Sequence, residues 1–343
     1  MPRKLTARRN RFGQQGASPL VRSPAAAVSS TSADWGTIDE RHRRELLRHC
    51  YRMLGSPFDA EEAVQETMFR AWRGRETFAG AASVRVWLFR IATNICLDML
   101  RQRPRREQPI GAAGAADADS LLGRPDDSRW LHPAPDRWLL PSGAATEEVA
   151  VLRESIRFAF IAALHRLTPM QRAALIFRDV LKFTAEETAD LLGITVASAN
   201  GLLRRARHRL AAEAPPPTSS ADLDGGQRAL LERFVHAFER YDVQALTELL
   251  KEDATLSMPP YELWLAGRSQ IRRWFLRDPN PCHGARAVAI GANGSPALAI
   301  YHLDESHQTL RPFAILTAAI EDDRIAALDM HIVPRLFPLA GLP

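Results

Sequence analysis

The chain has 343 residues, 46% hydrophobic and 25% charged, with a formal net charge of +5; that length and apolar content imply two or three domains with real cores and exclude a wholly disordered or fibrous chain. Residues 1–213 hold 33 Lys and Arg against 24 Asp and Glu, whereas residues 214–343 hold 12 against 16, so a polyanionic partner belongs with the first part. Cys50, Cys96 and Cys282 stand apart without a CxxC spacing, and no apolar run approaches the roughly 20 residues of a membrane span. The expectation is a cytoplasmic chain with no metal, cofactor or membrane association.

Residues 1–38 are rich in Arg, Ser, Ala and Pro and read as a disordered basic tail. Residues 39–106 show helical periodicity broken at Gly55-Ser56-Pro57 and between 74 and 83, which predicts three or four packed helices. In DAEEAVQETMFRAW, residues 59–72, Asp59, Glu62 and Glu66 share one side of a helix and Ala63, Val64, Thr67, Met68 and Ala71 the other. Such an acidic face cannot hold phosphates; taken alone it is either a solvated surface or a site for a basic protein partner. VWLFRIATNICLDMLRQRPRR, residues 86–106, is an apolar helix that turns basic at its end, with Asn94, Asp98 and Arg101 spaced to share a face. Its arginines suit phosphates, and Asn94 with the loop 78–84 suits unstacked bases.

Residues 107–146, rich in Ala, Gly, Asp and Pro, read as a flexible linker, although SRWLHPAPDRWLLP, residues 128–141, sets large apolar side chains among prolines. Residues 147–213 are helical again. Thr168-Pro169-Met170-Gln171 is a capping box with Pro at the first helical position. In FTAEETADLLGITVASANGLLRRARHRL, residues 183–210, Thr184 and Glu187 form another capping box, Gly193 permits a left-handed turn, and small Ala189 lets two helices approach. The second helix begins near Thr195 and carries Ser198, Asn200, Arg204 and Arg205. This is a helix-turn-helix whose second helix suits a major groove, with short polar groups for base edges and arginines for phosphates.

These blocks, in this order, resemble the extracytoplasmic-function (ECF) sigma factors of bacterial RNA polymerase over about residues 40–213. The resemblance implies an all-α region 2 whose Asp59, Glu62, Gln65 and Glu66 meet the polymerase clamp and whose Asn94, Asp98 and Arg101 lie at the −10 promoter element. It implies an all-α region 4 whose Ser198, Asn200, Arg204 and Arg205 lie at the −35 element. The implied partners are the polymerase core, through its β and β′ subunits, and promoter DNA. The linker segment matches the WL-x-P-x-PD signature of ECF factors with a C-terminal extension at Trp130, Leu131, Pro133, Pro135 and Asp136. It passes near the polymerase cleft, contacts the extension, or clamps onto its own domains; the residues alone do not choose.

Pro215-Pro216-Pro217 marks a further boundary within a short linker, residues 214–221. Residues 222–338 change from all-helical to mixed, with helices over 227–241 and 243–250 followed by β-like runs at 254–258, 285–292, 297–303, 312–321 and 324–332, the last two joined at Asp322-Asp323. Helices first and then a curved antiparallel sheet resemble the SnoaL-like α+β cone. That fold encloses a pocket, for which Trp264, Trp274, His302, Asp329 and His331 are the candidates, with a small molecule as ligand. Neither an ordered triad nor a metal-ligand spacing occurs, so the expectation is a regulatory rather than catalytic domain. Two alternatives stay open: a helix-turn-helix regulator acting without polymerase, and a DNA-binding module fused to a SnoaL-like enzyme.

Overall fold

The computed structural model describes residues 40–75, 78, 83–102, 106–108, 114–120, 122–141, 147–212, 225–278, 280–304, 306 and 308–343. The expected basic tail and most of the loop 78–84 lie outside them. Three helices build region 2: α1 (Glu40–Leu54), α2 (Pro57–Gly74) and α3 (Val84–Gln102). The predicted break is a helix boundary. Ser56 caps α2 by accepting from the Asp59 amide, and Pro57 occupies the first turn, where its missing N–H costs nothing. Leu46, Leu47, Val64, Leu88 and Ile95 fill the space between the three helices.

The linker departs from the expectation of a flexible segment. Ala118 is buried in the core of the C-terminal domain, and its amide donates to Gln270 Oε1 at 3.0 Å. Trp130, Leu131, Ala134, Leu139 and Leu140 are buried as well, and a short helix α4 (Asp136–Leu139) follows them. Large apolar groups in a Pro-rich frame have little entropy to lose and much area to bury, and here that outweighs the Gly- and Asp-rich flanks.

Region 4 comprises α5 (Glu147–Glu154), α6 (Phe158–His165), α7 (Pro169–Leu175), a π-helical turn (Ile176–Val180), α8 (Ala185–Leu192) and α9 (Val196–Ala212). Both capping boxes form, at Thr168–Gln171 and Thr184–Glu187. Gly193 adopts φ 64°, ψ 37° at the end of α8, so the chain reverses into α9, whose Ala199, Leu203 and Ala206 are buried.

The C-terminal domain sets α10 (Gly225–Glu239), α11 (Val243–Glu248) and α12 (Arg268–Phe275) against a sheet. Its strands are β1 (Leu250–Ser257), β2 (Trp264–Ala266), β3 (Arg286–Ala292), β4 (Ser295–Asp304), β5 (Thr309–Glu321) and β6 (Arg324–His331), in the order β2-β1-β6-β5-β4-β3, and α13 (Leu336–Ala340) closes the chain. The sheet is mixed rather than antiparallel throughout, because β1 runs parallel to β6. The Asp322-Asp323 turn is as expected, with both residues at positive φ and Glu321 paired with Arg324.

Gly55 ties three of these parts together. It sits at φ 70°, and a Cβ there would strike Leu131 of the linker and come within 2.7 Å of His165 of region 4. Its carbonyl accepts the His132 amide at 3.0 Å. Gly55→Ala combines left-handed strain with a steric clash, and its expected cost is more than about 1 kcal/mol, read as a lower urea midpoint at unchanged slope.

Candidate nucleic-acid and polymerase interface

On α2, Glu62 and Gln65 are exposed and Glu66 is half-buried, pairing with Arg70 at 2.6 Å. Asp59 does not join them. It is buried and receives Nη2 of Arg106 at 2.8 Å and Nε at 3.2 Å, so its carboxylate anchors the start of the linker instead of facing outward. Arg106 also donates to the carbonyls of Asp127 at 2.8 Å and Trp130 at 2.7 Å. Two large residues continue the outer face of α2: Phe69, 52% exposed, and Trp72, 57% exposed. The guanidinium of Arg75 lies 4.5 Å over the Trp72 ring. Exposed aromatics beside carboxylates mark a protein-binding face better than the carboxylates alone; their placement opposite Ala63 and Val64 was the available signal.

Asn94, Asp98 and Arg101 are all exposed, and Arg101 pairs with Asp98 at 2.5 Å. On α9, Ser198, Asn200, Arg204 and Arg205 are exposed, with the Ser198 amide donating to Thr195 Oγ1 at 3.2 Å to start the helix. Arg207 is bound differently, reaching Asp179 of the π-turn at 2.6 Å. These two exposed faces belong to domains that touch. Phe89 of α3 packs edge-on against Phe177 and Phe183 of region 4 at 6.4 and 5.8 Å, His49 stacks on Phe177 at 5.3 Å, and Arg90 of α3 pairs with Asp190 of α8.

The C-terminal domain joins the same assembly through the β3–β4 turn. Asn293 and Gly294 both adopt positive φ, 53° and 71°, in a two-residue hairpin. Asn293 Oδ1 accepts the Ala134 amide at 2.8 Å, and Nδ2 donates to the Ile156 carbonyl at 2.6 Å and to the Tyr51 hydroxyl at 2.9 Å. The Tyr51 hydroxyl donates to the His132 carbonyl at 2.8 Å, and Trp130 Nε1 donates to the Pro260 carbonyl at 2.8 Å. One buried amide thus links region 2, the linker and region 4 to the sheet. The Asn-Gly pair between two β-like runs was the missed signal, since it is a strong short-range mark of a tight hairpin.

Comparison with known proteins agrees with this architecture. Residues 38–106 match the Sigma-70 region 2 family, residues 157–210 Sigma-70 region 4, and residues 231–328 the SnoaL-like domain family. The chain is 40% identical to the ECF RNA polymerase sigma factor SigG of Mycobacterium tuberculosis over 316 residues, 90% of this chain and 84% of SigG. This chain is an ECF sigma factor. It is also 30% identical to SigJ of the same organism over 220 residues, 64% of this chain and 62% of SigJ. The crystal structure of SigJ shares the fold, with TM-score 0.54 and 22% identity, covering 88% of this chain and 98% of SigJ.

The five residues expected to line a C-terminal pocket are not brought together in this sigma factor. Trp274 is buried in the domain core beside Phe275, Trp264 is half-buried on the short strand β2, and His302 stacks on Phe313 at 5.2 Å. Asp329 and His331 alternate with Leu328 and Met330, which enter the core against the helices; the period of two therefore turns Asp329 and His331 to the opposite face. There Asp329 accepts from the Ser257 hydroxyl and His331 packs 5.3 Å from Phe158 of region 4. An apolar cavity of 650 Å³ lies elsewhere, between α10 and β3–β5, lined by Leu231, Phe234, Val235, Ala289 and Leu316 among others.

Buried imidazoles make the contacts between domains sensitive to acid. Burial, with Arg52 and Arg85 adding to it, pushes His49 down to about 3; burial and neighbouring His132 do the same to His331. Their folded pKa lies below the unfolded value, so between about pH 6.5 and 3 the unfolded chain binds more protons and stability falls as pH falls, by up to about 1.4 kcal/mol per pH unit for each group. Asp136 opposes them over part of that range, because burial raises it to about 6 and its folded form takes up a proton first. The expected result is a net drop in urea midpoint from pH 7 to pH 5, and a shallower drop for His331→Leu.

Proposed function

We propose that this sigma factor binds the polymerase core through the outer face of α2, with Glu62, Gln65 and Glu66 joined by Phe69 and Trp72, and that Asn94, Asp98 and Arg101 engage the −10 element while Ser198, Asn200, Arg204 and Arg205 engage the −35 element. The C-terminal domain and linker modulate this activity by favouring contact between regions 2 and 4, and the cavity between α10 and β3–β5 is where a small molecule would act on that domain. The observation that supports this is that α3, the helix carrying Asn94, Asp98 and Arg101, packs on α8 through Arg90 and Asp190. Elements about two turns of DNA apart, at ~34 Å per turn, cannot be read by two domains in side-chain contact. The domains must therefore separate on the promoter, and whatever stabilises their contact opposes initiation.

Run-off transcription with purified core polymerase tests each part. Glu62→Arg is expected to abolish promoter-specific transcripts while leaving the protein folded. Arg204→Ala is expected to weaken promoter binding by about 1–3 kcal/mol if it reads a base bidentately, and less and without sequence preference if it holds phosphate. Asn293→Ala removes the amide shared by region 2, the linker and region 4, and is expected to raise transcription; an unchanged yield would remove the modulatory role. DNA binding without transcripts from the unaltered protein would favour a regulator that acts without polymerase.

A further inference from the structure

We propose that the cleft between regions 2 and 4 binds an anionic amphiphile, a molecule carrying one carboxylate or phosphate head on an apolar body. The cleft measures 940 Å³ and lies between α1, α5, α6, the π-turn and the end of α9, within the range of about 300–1,000 Å³ typical of ligand sites. Its walls are largely apolar, with Leu152, Phe160, Leu181 and Leu210 among them. Its charged lining is unbalanced: six Arg and Lys face three acids, and each acid has an arginine of its own. Arg85 pairs with Glu45 at 2.7 Å, Arg157 with Glu154 at 2.9 Å and Arg207 with Asp179 at 2.6 Å.

Of the cations that line the cleft, Arg52 is the buried one. It is 1% exposed and lines the cleft, and its guanidinium donates to two uncharged acceptors, the Ser155 carbonyl at 2.9 Å and the Ser155 hydroxyl at 2.6 Å. Among the described residues no carboxylate forms an ion pair with it. Burial and the like charge of Arg48, one helical turn earlier, push Arg52 down to about 9. A buried guanidinium without a counter-ion is costly, and an anion arriving at the cleft would relieve that cost. A head group on Arg52 leaves the rest of the ligand against the apolar wall, which a free inorganic anion would not cover and an uncharged lipid would cover without neutralising the arginine.

Binding at this cleft involves the protein alone and does not depend on promoter recognition. Titration calorimetry of the full chain with decanoate, below its micelle concentration, is expected to show one saturable site. Uncharged decanol and inorganic phosphate should each bind at least about tenfold more weakly, a difference of ~1.4 kcal/mol. Arg52→Gln should lose decanoate to a similar extent, Arg52→Lys should keep it within a few-fold because the charge survives, and Arg233→Gln, an exposed arginine on α10, should not alter it. Arg52→Lys and Phe160→Ala cover the case in which Arg52→Gln fails to fold: the first should retain the ligand and the second weaken it. Absence of saturable decanoate binding, equal binding by folded Arg52→Gln or by Phe160→Ala, or phosphate or decanol binding as tightly as decanoate would overturn the proposal.

Discussion

The Asn293 side chain is the point on which the arrangement of the domains depends. A carboxamide offers two donors and two acceptor lone pairs, and here they are spent on the Ala134 amide, the Ile156 carbonyl and the Tyr51 hydroxyl, groups from three segments far apart in sequence. All three are buried; if the turn moved away, the Ala134 amide and the Ile156 carbonyl would lose this partner, at about 1–3 kcal/mol apiece, while Tyr51 would keep its bond to the His132 carbonyl. Hydrophobic burial supplies adhesion without direction; this polar node supplies the direction. The packing of Tyr301 and Ile315 against Leu336 and Phe337 then fills the sheet face behind the turn.

A second anchor works from the other end of the linker. Asp59 and Arg106 bury opposite charges in contact, with Arg106 also serving two carbonyls. Such a pair contributes little net stability over an apolar one, but breaking it strands a charge; its value is in fixing where the chain leaves α3. From there the backbone of Glu107 pairs with Arg129 and Leu131, which sets Trp130 under Pro260. The linker is thus threaded between region 2 and the C-terminal domain by directional bonds at both ends.

The helical half of the fold was legible in the sequence because its signals are local. Capping boxes at Thr168 and Thr184, Gly193 at a left-handed turn, and Pro57 after Ser56 each fix a boundary through neighbours a few residues away. Five of the six β runs of the C-terminal domain were legible in order; the three-residue β2 was too short to show an alternation, and the parallel pairing of β1 with β6 was not legible, since no local pattern encodes which distant strand is adjacent. The same limit explains the site residues. Helical spacing placed Glu62, Gln65 and Glu66 on one face, yet it could not say that Asp59 would meet Arg106, 47 residues on. His331 and Asp329 were grouped with Trp274 by residue type, whereas strand alternation sends them to the face opposite the core-filling Leu328 and Met330, a face that Asp329 shares with Trp264 across Ser257.

The Asn293–Gly294 turn carries two duties that are usually separate. Its backbone conformation is what closes β3 onto β4, and its side chain is what fastens that hairpin to three other segments. Residues that satisfy the first duty, Asp or Gly among them, do not satisfy the second, so the position is constrained by intramolecular recognition more tightly than by folding. A different residue at this turn would close the hairpin and still leave the Ala134 amide and the Ile156 carbonyl without their partner. The three domains of this chain are therefore not beads on a string, because the fit of one to the others is written in the side chain of a turn that the sheet itself does not require.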